Sequence, residues 1–542
     1  IFCFFSSAVV FAQAEYVRVE NPIYEFLERM ETQQIIKDYN SFELPKTRRT
    51  IANYLKEIIE KKDRLDNIDK NVLNDFLVEF EFDLFGTENN SQSIFSKIEY
   101  DLFNQKEKYL FYFVNPLKAN LFINLLGEGE FINRNFAEPI NKNHKSFVGI
   151  VGGEVRGTFL NKFGFGIRGT NGNVFGNKTA AFARKDLQYN FKLNENPDET
   201  FFDETEGYLT ADFDIVKFKI GRDRMNIGYG ITKSILAGNS PLFDYVSFNI
   251  NYDFFYYSYF HGKLLGNQTF TADSITGGSA EIEEKYIGYH RIGFNFSNDV
   301  DFGIGEIVIY GGRPLDLSYV NPFNFYKSVE HANQDRDNTM LFVDFNNNSI
   351  KGLKFFATFL IDDLKFDKIG TGWYGNKTML NLGILSTNLY NILPVDFHLE
   401  YLRIEPYTFT HRLIRNAYTN FGYNLSADIQ PNTELFFSQI NYRFNNRVSF
   451  SAGLNYSVHG ANNLLKNGTV QNVGGDINLG HRTFDSDKVT FLDGDLEYER
   501  KYFVTIFYEP INQFLFSCRI NFVDKSNLSN ESNLFLGLNV KL

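Results

Sequence analysis

The chain has 542 residues, including 60 Phe and 31 Tyr, yet 22% of it is charged and its mean hydropathy is -0.28. So many rings in a chain of polar average must be interleaved with polar residues, which is how a sheet reads when its two faces meet different media. The net charge of -12, without a long basic run, excludes a sheath around nucleic acid, because phosphate binding needs clustered Lys and Arg.

The chain opens IFCFFSSAVVFAQA, an apolar run ending in Ala12-Gln13-Ala14. The small-x-small ending fits a signal-peptidase site after Ala14, so residues 1–14 read as a signal remnant without its charged start. Once Cys3 is removed, Cys518 stands alone, and one cysteine makes no internal disulfide. No later apolar run has the length of a spanning helix, so the exported chain is either soluble beyond the inner membrane or a barrel.

Residues 15–105 carry helical periods and predict a small N-terminal helical bundle, periplasmic or plugging. Asn21-Pro22 is a start signal, and Ile23, Phe26, Leu27 and Met30 share the face that follows. Ile51, Tyr54, Leu55, Ile58 and Ile59 repeat at the same spacing, with Glu57 and Lys61 paired on the wet side. Val72, Leu73, Phe76, Leu77 and Phe80 mark a third helix.

From residue 106 to 542 the period becomes two. Val448, Phe450, Ala452, Leu454 and Tyr456 oppose Ser449, Ser451, Gly453 and Asn455. Phe514, Phe516, Cys518, Ile520 and Phe522 form a second apolar row, and Leu534, Leu536, Leu538, Val540 and Leu542 a third. A soluble sandwich with one wet face would alternate in the same way. The export signal, the density of rings (YDFFYYSYF at Tyr252–Phe260) and the closing apolar strand favour a transmembrane antiparallel β-barrel. Closure is obligatory in lipid, where an open edge leaves backbone groups unpaired. At roughly 24 residues per strand and connection, the length predicts about 18 strands. Gly152, Gly153, Gly157, Gly164 and Gly166 are expected to face the interior.

No nucleotide-binding loop, HExxH or GxSxG occurs, and the histidines are scattered. His398 and Glu400 would share a strand face but have no obvious nucleophile, so no catalytic residue is assigned. Asp335, Asp337 and Asn338 could hold calcium through oxygen, but the loop Gly and distal Glu of an EF-hand are missing; solvated charge is the preferred reading. Neither cofactor nor metal is expected.

One connection stands out. RPLDLSYVNPFNFYKSVEHANQDRDN, Arg313–Asn338, lies between the strand Gly305–Tyr310 and another expected at Met340–Phe345. Long connections of outer-membrane barrels face outside. Flat rings beside planar polar groups suit sugars, whose C–H faces pack on rings while hydroxyls need hydrogen bonds. Tyr319, Asn321, Tyr326, Glu330, His331, Arg336, Asp337 and Asn338 are therefore the candidate glycan-binding residues. The alternative is that the rings only pack the loop into the barrel mouth. Arg222, Asp223, Arg224, Glu306 and Arg313 are expected to form a lumen charge network, with an internal brace of Arg and carboxylates preferred for Arg222–Arg224.

The stretch GEIVIYGGRPLDLSYVNPFNFYKSVEH with RDN after it (Gly305–Asn338) resembles the Wzi-type capsule assembly proteins, in the form common in Bacteroidetes. So do IGRDRMNIGYG (Ile220–Gly230), HRIGFNF (His290–Phe296), HRLIRNAYTNFGYNLSADIQPNTELF (His411–Phe436), NPIYEFLERM (Asn21–Met30) and LPKTRRTIANYL (Leu44–Leu55). The resemblance covers nearly the whole mature chain. It implies an outer-membrane barrel with a helical element at its periplasmic end and an occluded pore. It also implies a lectin-like, non-catalytic role in holding or organising capsular polysaccharide at the cell surface. The expected partners are surface polysaccharide and outer-membrane lipid, with no nucleic acid and a monomeric state. A porin-like solute channel is the competing reading.

Overall fold

The computed structural model describes residues 13–95, 100–115, 119–138, 140–196, 198–272, 277–297, 299–391 and 393–542. Of the expected signal remnant, residues 1–12 lie outside the described residues, while Gln13 and Ala14 are buried.

The helical region forms α1 (Ile23–Thr32), α2 (Arg48–Glu60) and α3 (Asn67–Glu79). The side chain of Asn21 accepts from the Ile23 N–H at 2.9 Å, and Thr47 and Asp66 cap the other two helices. The predicted apolar faces meet in one core containing Phe26, Leu27, Met30, Leu55, Ile58, Leu73 and Phe76. On the wet side Lys61 pairs with Glu57 at 2.6 Å.

Among the described residues the chain from Ala119 onward forms a closed antiparallel barrel of 18 strands, and a short strand before it, Phe111–Asn115, pairs with the first of them. In chain order these are β1 (Ala119–Phe136), β2 (Lys142–Phe159), β3 (Phe163–Gly176), β4 (Phe201–Phe213), β5 (Val216–Arg222) and β6 (Asp244–Tyr252). They continue as β7 (Phe255–Thr271), β8 (Ser279–Asn295), β9 (Val300–Gly311), β10 (Asn338–Ile350), β11 (Leu353–Asp363) and β12 (Lys377–Ser386). The last six are β13 (Asp396–Ile404), β14 (Thr433–Asn445), β15 (Val448–Ala461), β16 (Asp495–Ile511), β17 (Phe514–Lys525) and β18 (Glu531–Lys541). Pairing of β18 with β1, from Glu531↔Phe136 to Lys541↔Leu126, closes the ring.

The two ends differ. At one end, tight turns centre on residues 214–215, 253–254, 351–352, 446–447 and 512–513. Asp214, Asp253, Gly352 and Gln513 take left-handed φ of 65°, 53°, 82° and 70°, as such hairpins require. The helices sit against this end. Arg447 meets Asp75 at 2.9 Å, Asn295 donates to Asp38 at 2.6 Å, and Arg49 donates to Asp214 and, at 3.1 Å, to the Asn161 carbonyl. At the other end lie the long connections 177–200, 223–243, 312–337, 364–376, 405–432 and 462–494.

Alternation assigns the faces. Val151, Ile167, Leu209, Ile304, Phe359, Leu382, Phe436, Val504, Phe516 and Leu536 are exposed on the outer wall. Near the tight turns, rings meet in rows: Phe159 with Phe163, Phe163 with Phe213, Phe254 with Phe294, and Tyr442 with Phe444. An apolar belt edged by rings is the surface a barrel presents to lipid. No described helix is long and apolar enough to cross a membrane. Of the glycines expected inside, Gly152, Gly164 and Gly166 face inward, whereas Gly153 and Gly157 are out of phase and face outward. A Cβ at Gly164 would lie 2.8 Å from the backbone of Ala14, so the wall is thinned where the N-terminal segment passes.

The interior between β6 and β14 is packed. The N-terminal segment rises into it, and Glu43–Leu44 pairs with Asn226–Ile227 from the opposite end. Phe42 is fully buried, 4.9 Å from the Tyr229 ring and 4.4 Å from the Arg291 guanidinium. Phe409, Tyr418 and Leu425 from connection 405–432 join Ile307, Met340, Leu360 and Leu402 of the wall in one apolar cluster. Charges inside are paired: Arg291 with Asp344 at 2.6 Å, and Lys354 with Glu28 and Glu31 of α1 at 2.9 and 3.1 Å.

Candidate functional site

The long connection Arg313–Asn338 folds down the outside of the barrel. Phe302 and Ile304 are exposed on the outer wall, so Glu306, Val308 and Tyr310, in phase with them on β9, face outward too. These positions are nevertheless buried, because the connection covers them. Its helices α4 (Leu317–Val320) and α5 (Tyr326–Ala332) bring Tyr319 and Tyr326 onto Tyr286, Val308 and Tyr310. The His290 ring stacks on Tyr326 at 4.4 Å. Glu306 accepts from the backbone N–H of Tyr326 at 2.8 Å and of Lys327 at 3.1 Å, with His290 Nε2 3.0 Å away. The hydroxyls of Tyr257 and Tyr259 donate to the carbonyls of Pro322 and Val320. The segment is a strap over β7, β8 and β9.

This placement divides the predicted site. Tyr319 and Tyr326 are wholly buried under the strap. Asp337 receives Arg313 at 2.7 and 2.8 Å and the Tyr319 hydroxyl at 2.8 Å. Asn338 donates to the Asn416 carbonyl at 3.0 Å, and Asn321 donates to Asn324 at 3.1 Å at a distant exposed turn. The Arg336 carbonyl accepts from Asn416 at 2.7 Å. The rings thus pack the strap, as the alternative reading had it, though against the outer wall and not into the mouth.

The lumen network also needs correction. Asp223 and Arg224 face the interior: Asp223 accepts from Lys219 at 2.5 Å, and Arg224 donates to Glu204 at 2.8 Å. Arg222 is one residue out of phase, so it faces outward and meets exposed Asp244 at 3.3 Å. Glu306 and Arg313 belong to the outer wall and its strap. The interior instead uses Arg18, which meets Glu206 at 3.0 Å, and the Arg291–Asp344 pair. His398 and Glu400 share the inner face as expected. Glu400 binds the inserted connection, accepting from the N–H of Ile231 at 2.5 Å and from the hydroxyl of Thr232 at 2.7 Å.

Glu330, His331, Asp337 and Asn338 do come together at one place, a cleft of about 590 Å³ on the rim at the long-connection end. Its other side is built by Asp363, Lys365, Phe366, Trp373, Tyr374, Lys377, His411, Arg412 and His481. Lys327 Nζ lies 2.6 Å from Glu330 and 3.8 Å from Asp363; Lys377 lies 3.3 Å from Asp363. Lys365 sits over the Trp373 ring at 4.7 Å, and Tyr374 stacks on His481 at 3.5 Å. Phe366 is 81% exposed, a free ring face at the opening. Burial pushes His411 down to about 4, so it is neutral at physiological pH. Among the described residues no cluster of His, Cys, Asp and Glu could hold a metal ion. Sequence reasoning missed Trp373 and its neighbours. The chain's one Trp, set in TGWYGNK between glycines, was the available signal.

A sequence profile of the family described as Capsule assembly protein Wzi matches residues 141–508. The chain belongs to the Wzi capsule assembly family. Over the whole barrel it is similar to a solved structure described as Wzi, an outer membrane protein involved in group 1 capsule assembly in Escherichia coli and a carbohydrate binding β-barrel. The TM-score is 0.59 at 11% identity, covering 97% of this chain and 99% of that one. More distant are OpdQ of Pseudomonas aeruginosa (TM-score 0.45, 10% identity, 78% and 98% covered) and OccAB4 of Acinetobacter baumannii (0.44, 12%, 78% and 98%). Comparison with curated protein sequences returns no match. This Wzi-family chain is an outer-membrane β-barrel of a Gram-negative bacterium, as its family membership indicates and its closed wall with an apolar belt fits.

Proposed function

We propose that this protein is a non-catalytic, lectin-like barrel that binds capsular or related surface polysaccharide and anchors or organises it at the cell surface. The observation that carries the reading is the rim cleft, where the exposed ring of Phe366 and the half-buried Trp373 stand beside Glu330, His331, Asp363 and Lys365. Rings supply the apolar contact a pyranose needs, and the ionic side chains supply directional donors and acceptors. Family membership supports it, as does the relative described as carbohydrate binding. The tight-turn end with its helices is then periplasmic, the long connections face outward, and the unit is a monomer. The apolar filling between β6 and β14 argues against the porin-like alternative.

The test is the partition of polysaccharide between cells and medium. A deletion strain releases polymer at constant total, wild type restores retention, and the double variant Phe366→Ala, Trp373→Ala does not. Unchanged partition in the deletion strain would sink the anchoring role. Full retention by the double variant, at wild-type levels of folded barrel, would sink the cleft as the site.

A further inference from the structure

The strap leaves an apolar surface that its own packing does not use. While Tyr319 and Tyr326 point at the wall, Leu317 is 76% exposed, Phe323 75%, Phe325 56% and Leu315 47%. The run Leu317–Tyr326, LSYVNPFNFY, contains no charged residue. Charge begins at Lys327, which turns toward Glu330 and the rim cleft. The strap therefore has an apolar end and an ionic end.

The apolar end is continuous with the lipid belt. Phe323 stacks on Tyr257 at 5.6 Å and approaches Phe248 at 6.4 Å, both on the outer wall. Val246 on β6 and Ile304 on β9, which flank the covered patch, are themselves exposed apolar positions. Beneath it lie groups that lipid does not tolerate bare: Glu306, His290, and His261 with the Tyr310 hydroxyl at 2.9 Å. The strap converts a polar stretch of wall into an apolar one, which is useful only where the surroundings are hydrocarbon.

We propose that the strap is a membrane-embedded element, with Leu317, Phe323 and Phe325 docked among the acyl chains of the outer leaflet. Its ionic end then holds the rim cleft at headgroup level. This inference does not rest on the glycan reading.

The experiment uses the full chain reconstituted in phosphatidylcholine vesicles, with or without brominated acyl chains. Trp373 is replaced by Phe, leaving no Trp, and Phe323→Trp or Leu317→Trp supplies a single reporter. Phe366→Trp in the same background is the aqueous control. Both strap reporters are expected to lose emission to brominated lipid and to resist aqueous iodide, while the control shows the reverse. Iodide quenching of both strap reporters, or indifference to both quenchers, overturns the proposal. Two strap positions guard against one variant failing to fold. Retention of polysaccharide is read separately, so the lipid proposal and the glycan reading fail independently.

Discussion

Replacing Glu306 by Ala removes the acceptor that holds the first turn of α5 against the outer wall. Two backbone donors lose their partner, Tyr326 N–H at 2.8 Å and Lys327 N–H at 3.1 Å, at a position only 2% exposed. Hydrogen bonds to charged groups contribute roughly 1.5–3 kcal/mol each, so the strap loses about 3 kcal/mol even at the low end. At about 1.4 kcal/mol per factor of ten, opening of the strap rises by roughly 100-fold. Hydrogen–deuterium exchange over residues 317–332 reads this directly, with β13 as the internal control, and the heat-dependent gel shift of the folded barrel reports that the wall is intact. Glu306→Gln keeps one acceptor oxygen and is expected to fall between wild type and Ala. If strap exchange in the Ala variant matches wild type while the barrel is folded, the carboxylate does not hold the strap, and the account of the outer wall is wrong.

Phe42→Ala opens a cavity where the N-terminal segment meets the inserted connection; it is expected to cost about 3–5 kcal/mol, read as a lower urea midpoint. Arg291→Ala leaves Asp344 buried without its partner and is expected to cost a further about 3–5 kcal/mol in its own right, read as a smaller folded fraction on refolding. Burial pushes Glu31 up to about 7 against the pull of Lys354. Folded Glu31 therefore holds its proton above the ordinary range near 4.5, and its contribution to stability falls as pH rises from there to about 7. Glu31→Gln is expected to flatten that slope, measured as urea midpoints across the window. Trp373→Ala is expected to weaken polysaccharide binding by roughly tenfold, or about 1.4 kcal/mol, with the barrel unchanged, as read by a pull-down titration.

The alternation in Val448–Tyr456, Phe514–Phe522 and Leu534–Val540 determined which side chains share a face of the sheet, because a two-residue period places each side chain on one of two faces whatever happens elsewhere. Helical spacing did the same for Ile23–Met30 and Ile51–Ile58, whose faces meet as read. The candidate site was half legible. Rings and amides in Arg313–Asn338 drew attention to a connection that contributes Glu330 and His331 to the candidate cleft. That Glu306 faces outward was also available, since it is in phase with Phe302 and Ile304; its charge argued for the lumen and masked the phase.

Only the tertiary structure decided which way the long connections fold. Residues 223–243 enter the barrel because Tyr229 finds Phe42, and because Glu400 receives the N–H groups at Ile231 and Thr232. Residues 312–337 stay outside because Tyr257, Tyr259, His290 and Glu306 offer them partners there. Trp373 reaches Glu330 only through the cleft between two separate connections. Alternation is local and its answer is binary, so the chain carries it in each short segment. The path of a connection is settled by hydrogen bonds and ring contacts between residues far apart in sequence, and those exist only once the wall has closed.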